Sequence, residues 1–198
     1  MIRLPNIETK RLLLRPLKRS DAKAMYDYAW RDDVGPRAGW APHQSLKDTK
    51  QYIEYALAKP SRNQPGVFAV ILKSENRLIG TMELHSMVDD YKAAIGMVCH
   101  PAYQQKGYMY EASLATLVYA FEYLKLKRIS YSHFPSNTAS KKLREKLRFT
   151  YEGTLRNYHK RYDGIIFDFV MSSFTSDDYN DQYEEIFRPF KDSLFVKM

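Results

Sequence analysis

Cysteine is almost absent from this 198-residue chain, where Cys99 stands alone. A lone thiol excludes an intrachain disulfide and a cysteine-rich metal site, so no metal is expected and a cytoplasmic location is the expectation. Also missing is the run of roughly 18 apolar residues that a membrane helix requires. The first residues, Met1-Ile2-Arg3-Leu4-Pro5-Asn6, carry no apolar signal core. Acids are scarce: 23 Asp and Glu stand against 31 Lys and Arg, for a net charge of +8. The imbalance is uneven, because residues 173–198 hold six acids and three bases, which leaves that tail at −3 and the rest at +11. A basic body favours anionic partners. Its bases are scattered over several predicted elements and no nucleic-acid motif accompanies them, so the expected anion is a phosphorylated cofactor and nucleic acid is not expected.

What is present reads as one soluble domain with an extension, 44% hydrophobic and 27% charged. Arg11 to Pro16 reads as a first strand ended by proline. Ser20 is positioned to cap a helix carrying Ala24, Met25 and Tyr28, and Ser45 with Asp48 forms a capping box for a second helix. Gly66–Leu72, Leu78–Ser86 and Ala93–Cys99 read as an antiparallel meander with polar turns. A helix, a strand over Arg128–His133 and a short helix from Asn137 to Leu147 follow, and the first of these makes a βαβ unit. Two strands, about Thr150–Lys160 and Ile165–Phe174, close the domain around the Asp163-Gly164 turn. The order predicts a mixed α/β or α+β domain over residues 1–174. Residues 175–198 form a helical extension, with Tyr179, Tyr183, Ile186, Phe187, Phe190 and Leu194 on one face and Pro189 interrupting it. That face would pack on its own domain, make a homodimer contact or cover the active cleft.

The most informative stretch is Val98 to Glu111, Val-Cys-His-Pro-Ala-Tyr-Gln-Gln-Lys-Gly-Tyr-Met-Tyr-Glu. A strand, a polar loop with one glycine and a helix start come in that order. Such a junction gathers main-chain N–H groups at the positive end of a helix dipole, an arrangement that suits a phosphate. An ordinary strand-to-helix connection has the same outline, so the loop alone does not decide the matter.

Taken with other blocks, this loop resembles the GNAT acetyltransferases, in particular their RimJ/RimL-type branch. The blocks are Glu8-Thr9-Lys10-Arg11-Leu12-Leu13-Leu14-Arg15-Pro16, Leu78-Ile79-Gly80-Thr81, His100 to Tyr108, Asn137-Thr138-Ala139-Ser140, Glu145 to Phe149 and Tyr151-Glu152-Gly153. The resemblance implies a mostly antiparallel central sheet with a V-shaped splay between its two parallel strands, flanked by about four helices. It implies transfer of acetyl from acetyl-CoA to an amine. The cofactor loop would be Gln104, Gln105, Lys106, Gly107, Tyr108, Met109 and Tyr110, with the amides from Gln105 onward on the CoA diphosphate. Met97, Val98 and Cys99 would border the pantetheine, and the Val98 amide would polarise the thioester carbonyl. Asn137 resembles the residue that bonds the pantetheine arm, with Ser140 one turn on; helix capping and a solvated face are their alternative roles. Lys141, Lys142 and Arg144 either screen the ribose phosphate or form a solvated face. Two residues depart from the loop pattern: Gln105 and Met109 stand where relatives carry small residues.

The amine must be neutral to attack. For a lysine-like nitrogen of pKa ~10.4, neutralisation at pH 7 costs roughly 4–5 kcal/mol, and for an α-amine near ~7.8 about 1 kcal/mol. Relatives often place an acid where this chain has Ala94, so the candidate base is Glu83, relayed through His85; strand alternation puts both on one face with Thr81. They equally suit a solvated sheet face. A tyrosine acid is replaced by Arg144, which leaves Tyr108, Tyr110 and Tyr131 as candidates without a favourite. Cys99 reads as a buried filler rather than a nucleophile. Trp40, Glu83 and His85, with the hairpin from Tyr158 to Ile166, would line the acceptor site. The expected acceptor is a peptide α-amine or small-molecule amine. The alternatives are a polyamine acetyltransferase and a CoA-binding regulatory protein that has lost turnover.

Overall fold

Alternating apolar residues between polar turns give the chain a sheet, and three amphipathic helices and one mostly apolar helix cover it. The structure, a computed structural model, describes residues 4–62 and 64–197. Its strands are β1 (Asn6–Glu8), β2 (Leu12–Pro16), β3 (Gly66–Leu72), β4 (Arg77–Val88), β5 (Lys92–Cys99), β6 (Arg128–His133), β7 (Thr150–Lys160), β8 (Ile166–Thr175) and β9 (Phe195–Lys197). They form one sheet in the order β7-β8-β6-β5-β4-β3-β2-β1-β9. Every neighbouring pair is antiparallel except β5 and β6. The helices are α1 (Ala22–Ala29), α2 (Gly35–Ala38), α3 (Leu46–Leu57), α4 (Tyr108–Val118), α5 (Thr138–Lys146), α6 (Ser176–Asp181) and α7 (Arg188–Lys191). The three beyond the expected four are short, at four to six residues.

The two faces of the sheet bury separate cores. On one, Met25, Tyr28 and Ala29 of α1 and Ile53 and Ala56 of α3 meet Val67, Ala69, Ile71 and Leu78. On the other, α4 lies on Phe68, Val70, Ile79, Met82, Leu84 and Ile95. Residues Glu111 to Ala120 are buried all round, because the C-terminal tail roofs the helix on its outer side. Tyr179 stacks 5.2 Å from Phe121, and Phe187 lies 4.3 Å from Tyr179. That double cover is why α4 can be apolar on every side without exposing a hydrophobic stripe.

Several expectations shift here. The tail is not wholly helical: after α6, a π-turn over Tyr183–Phe187 and α7, it ends in β9, which pairs antiparallel with β1. Pro189 stands at the start of α7, where a missing N–H is harmless, rather than inside a helix. The tail thus packs on its own domain, and Tyr179 and Phe187 belong to the main core. The start of α1 is organised by Asp21 rather than Ser20. The Asp21 carboxylate accepts the Lys18 N–H at 2.8 Å and a two-pronged contact from Arg15 at 2.7 and 2.8 Å. The capping role of Asp48 is present, since its carboxylate accepts the amides of Gln44 and Ser45.

Candidate active site

The site begins where the parallel pair comes apart. β5 and β6 pair only at Lys92/Arg128, Ala93/Ile129 and Ala94/Ser130. Beyond that point β5 stays with β4 as far as Cys99, and β6 stays with β8 as far as His133. Each strand is held by its outer neighbour while the space between them opens. Gly96, Met97, Val98 and Cys99 border it and are half-buried.

Strand phase decides which main-chain groups face the opening. The His100 N–H donates to the Ile79 carbonyl at 2.8 Å, toward β4. Successive residues of a strand turn their N–H alternately to either side, so the Val98 amide also faces β4. The amides of Met97 and Cys99 face the opening. Two contacts agree: the Cys99 carbonyl, on the far side from β4, accepts the Gln104 side-chain amide at 3.2 Å, and a β-carbon on Gly80 of β4 would lie 2.2 Å from the Val98 carbonyl oxygen. Only glycine fits beneath that carbonyl. The Val98 amide, the expected oxyanion donor, therefore faces β4 rather than the opening.

The loop after β5 ends in a left-handed Gly107, φ 79°, at the N-cap of α4. A side chain there would be strained in its backbone, and the space above the residue is open apart from an Arg11 nitrogen at 3.4 Å. Gln105 also has positive φ, 61°, and is exposed. Among the described residues, no protein acceptor takes the amides of Gln105 to Tyr110. Met109, in the first turn of α4, packs half-buried on the core, and its carbonyl accepts the Ser113 hydroxyl at 2.7 Å. The geometry fits a phosphate-bearing group: uncommitted donors, a helix N-terminus and no side chain at the closest point.

A partly buried knot, not anticipated from the sequence, holds this loop. The Glu111 carboxylate accepts the Thr9 hydroxyl at 2.6 Å, the Arg11 amide at 2.9 Å and the Arg11 Nε at 2.5 Å. The same guanidinium donates to the Lys106 carbonyl at 3.0 Å and lies over the Tyr108 ring. A single carboxylate opening an otherwise apolar helix was the signal available for it.

The opposite face of the sheet carries Glu83 and His85. Glu83 pairs in register with Gly96, and a β-carbon on Gly96 would stand 3.4 Å from Glu83 Oε1 and 3.3 Å from the His85 ring. Both side chains therefore overhang the edge of the opening. Glu83 is not simply solvated: its Oε2 takes the Lys59 ammonium at 2.5 Å. Burial pushes the His85 imidazole below its usual range, against the pull of Glu83. Tyr52 of α3 faces Glu83, and its phenol is pushed up by burial and then by that charge. Trp40 is joined to this wall through His43, with rings 5.2 Å from Trp40 and 6.2 Å from Tyr52.

Asn137 has both of its side-chain groups engaged. Its oxygen caps α5 at the Ser140 amide, 3.1 Å away, and its nitrogen donates to the Arg37 carbonyl at 3.1 Å. Arg161 reaches the Pro36 carbonyl, so the α2 segment is tied to α5 and to the closing hairpin. Ser140 contacts the Tyr131 hydroxyl at 3.3 Å. Arg144 is buried, bonded to Ser172 and Glu145, and forms no solvated face; Lys141 and Lys142 are exposed. Lys146, at the end of α5, lies 4.5 Å over the Tyr110 ring. Burial raises the Cys99 thiol to about 12, which leaves little thiolate for nucleophilic work. No group of three or more metal-ligating side chains occurs among the described residues, and no helix there is long and apolar enough to cross a membrane.

The comparisons agree with this geometry. An acetyltransferase (GNAT) domain model matches residues 11–150. An uncharacterised N-acetyltransferase, YnaD, of Bacillus subtilis is 32% identical over 150 residues, covering 75% of this chain and 84% of its own. A second, p20 of Bacillus licheniformis, is 30% identical over 179 residues, covering 89% and 99%. Among solved structures, an acetyltransferase of the GNAT family from Bacillus anthracis superposes with TM-score 0.78 at 28% identity, covering 87% of this chain and 99% of that one. A ribosomal-protein-S5-alanine acetyltransferase from Vibrio fischeri superposes with TM-score 0.72 at 27% identity, covering 87% and 97%.

Proposed function

Because the chain belongs to the GNAT acetyltransferase family, we propose that it moves acetyl from acetyl-CoA to the α-amine of a peptide or to a small amine of similar basicity. The observation that carries this reading is the splay of β5 from β6 beside a helix N-terminus with uncommitted amides. Acetyl-CoA supplies an activated thioester. The amides of Gln105 to Tyr110 hold its diphosphate, with Gly107 leaving room for close approach. The amides of Met97 and Cys99 face the pantetheine side of the opening and stabilise the charge that develops on the carbonyl oxygen.

The acceptor approaches from the α1/α3 side, past Trp40 and Glu83, on the face opposite α4. There Glu83 Oε1 overhangs Gly96 and takes the proton of the incoming ammonium, with an uncharged His85 beside it. A carboxylate is a weak base for an amine of pKa ~10.4 and an adequate one for an amine near ~7.8. That preference agrees with the likeness to an enzyme named for acetylating an alanine of a ribosomal protein. Asn137 acts chiefly by holding the Arg37 segment to α5. A homodimer stays compatible with the exposed hairpin.

Calorimetry with acetyl-CoA, followed by thiol release over a panel of peptides and amines, tests the proposal. Expected is CoA binding, with turnover fastest on peptide α-amines and strongly reduced in Glu83→Gln. Binding without release under any amine would instead identify a CoA-responsive regulator. Absence of CoA binding would remove the reading altogether.

A further inference from the structure

The Glu83 carboxylate overhangs Gly96 at the edge of the opening, and its charge is already matched. Lys59, at the start of the turn Lys59–Arg62 that follows α3, reaches across to Oε2 at 2.5 Å. Its side chain is only 12% exposed and Glu83's 24%, so water screens the pair weakly. Lys59 also lies 5.4 Å from the Tyr55 ring centre, with Arg62 on the same ring at 5.8 Å. The other groups facing Glu83 add no negative charge: His85 on its own strand is held neutral by burial, Tyr52 of α3 is held as the phenol, and β5 presents Gly96. The wall is therefore compensated, one cation for one anion, while Oε1 points at the β5 edge.

We infer that Lys59 is a specificity-determining residue: by neutralising Glu83, it keeps the acceptor site from attracting amines that carry additional positive charges. The inference rests on the proposed acceptor face. Only the transferring nitrogen needs to meet Glu83, and it does so as it gives up its proton. A second ammonium, as in a polyamine, finds no unmatched anion and meets Lys59 instead, at a distance where like charges repel strongly in a poorly screened site. Holding Oε2 has a second consequence. With Oε2 held on the ammonium, Lys59 also positions Glu83 with its proton-accepting oxygen toward the opening.

The test compares wild type, Lys59→Met, Lys59→Arg and Glu83→Gln in the full chain, with CoA present. Calorimetry reads the affinity of spermidine against that of butylamine; thiol release gives their kcat/KM ratio and its pH profile. Lys59→Met is expected to raise the spermidine preference at least tenfold and to lower kcat on butylamine, because Glu83 loses the contact that orients it. Lys59→Arg should restore both. Lys59→Gln replaces the methionine variant if its melting transition is lost. An unchanged spermidine preference in folded Lys59→Met overturns the inference. The Glu83→Gln arm separates the two readings: unaltered turnover and pH profile there remove Glu83 as the base, whatever the selectivity of the Lys59 variants.

Discussion

Replacing Glu111 by alanine should damage stability and cofactor binding together, because one carboxylate ties the start of β2 to the loop before α4. Three donors converge on it: the Thr9 hydroxyl, the Arg11 amide and the Arg11 guanidinium. Removing one partner of a buried ion pair costs about 3–5 kcal/mol, because the remaining charge is left uncompensated. Here the Arg11 side chain is 42% exposed and that of Glu111 is 10%. Water can re-solvate the freed guanidinium, so about 2–3 kcal/mol is the expected loss. In a chain of this size, each kcal/mol moves Tm by about 2–4 °C, giving a fall of about 4–12 °C. Glu111→Gln keeps the shape and an acceptor oxygen, and should lose roughly half as much. The same guanidinium holds the Lys106 carbonyl, so CoA affinity measured by calorimetry well below Tm should drop as well. A double-mutant cycle with Arg11→Met should show coupling of about 1 kcal/mol or more. A Tm shift under about 2 °C, or plain additivity in the cycle, would refute the idea that this knot supports the loop.

Two further outcomes follow from packing and burial. Stability should decline as pH falls below about 6.5, because burial depresses the folded-state affinity of His43, His85 and His133 for protons. Each contribution is fully present above the ordinary histidine value and is lost as pH drops toward the depressed folded value, since the unfolded chain binds the proton first. Carboxylates lowered by ion pairing, such as Glu152 beside Arg128, act only further down, below about 4.5; a melting temperature flat between about pH 7.5 and 5.5 would contradict the histidine argument. Phe187→Ala should cost about 3–5 kcal/mol in chemical denaturation, because the ring is 1% exposed against Tyr179 and Phe174. Phe195→Ala, at 70% exposed, should stay within about 0.5 kcal/mol; comparable losses in both would mean that the tail is not part of the core.

The meander, the βαβ unit, the closing hairpin and the strand-loop-helix at Gly107 were legible in the sequence because local chemistry dictates them. Period-two apolar runs, Asp163-Gly164 and a lone glycine before an apolar helix each act over a few residues. The face shared by Glu83 and His85 followed from alternation alone. Everything that depends on partners distant in sequence was decided by the tertiary structure. Lys59 meets Glu83 across 24 residues, and Glu111 meets Arg11 across 100. Arg144 turns inward to Ser172, and the tail adds a ninth strand beside β1. Which amides face the opening was set by the phase between β4 and β5, read at His100 and Ile79. Residue spacing specifies which side of an element a group occupies; only the packed chain determines which charge stands opposite it.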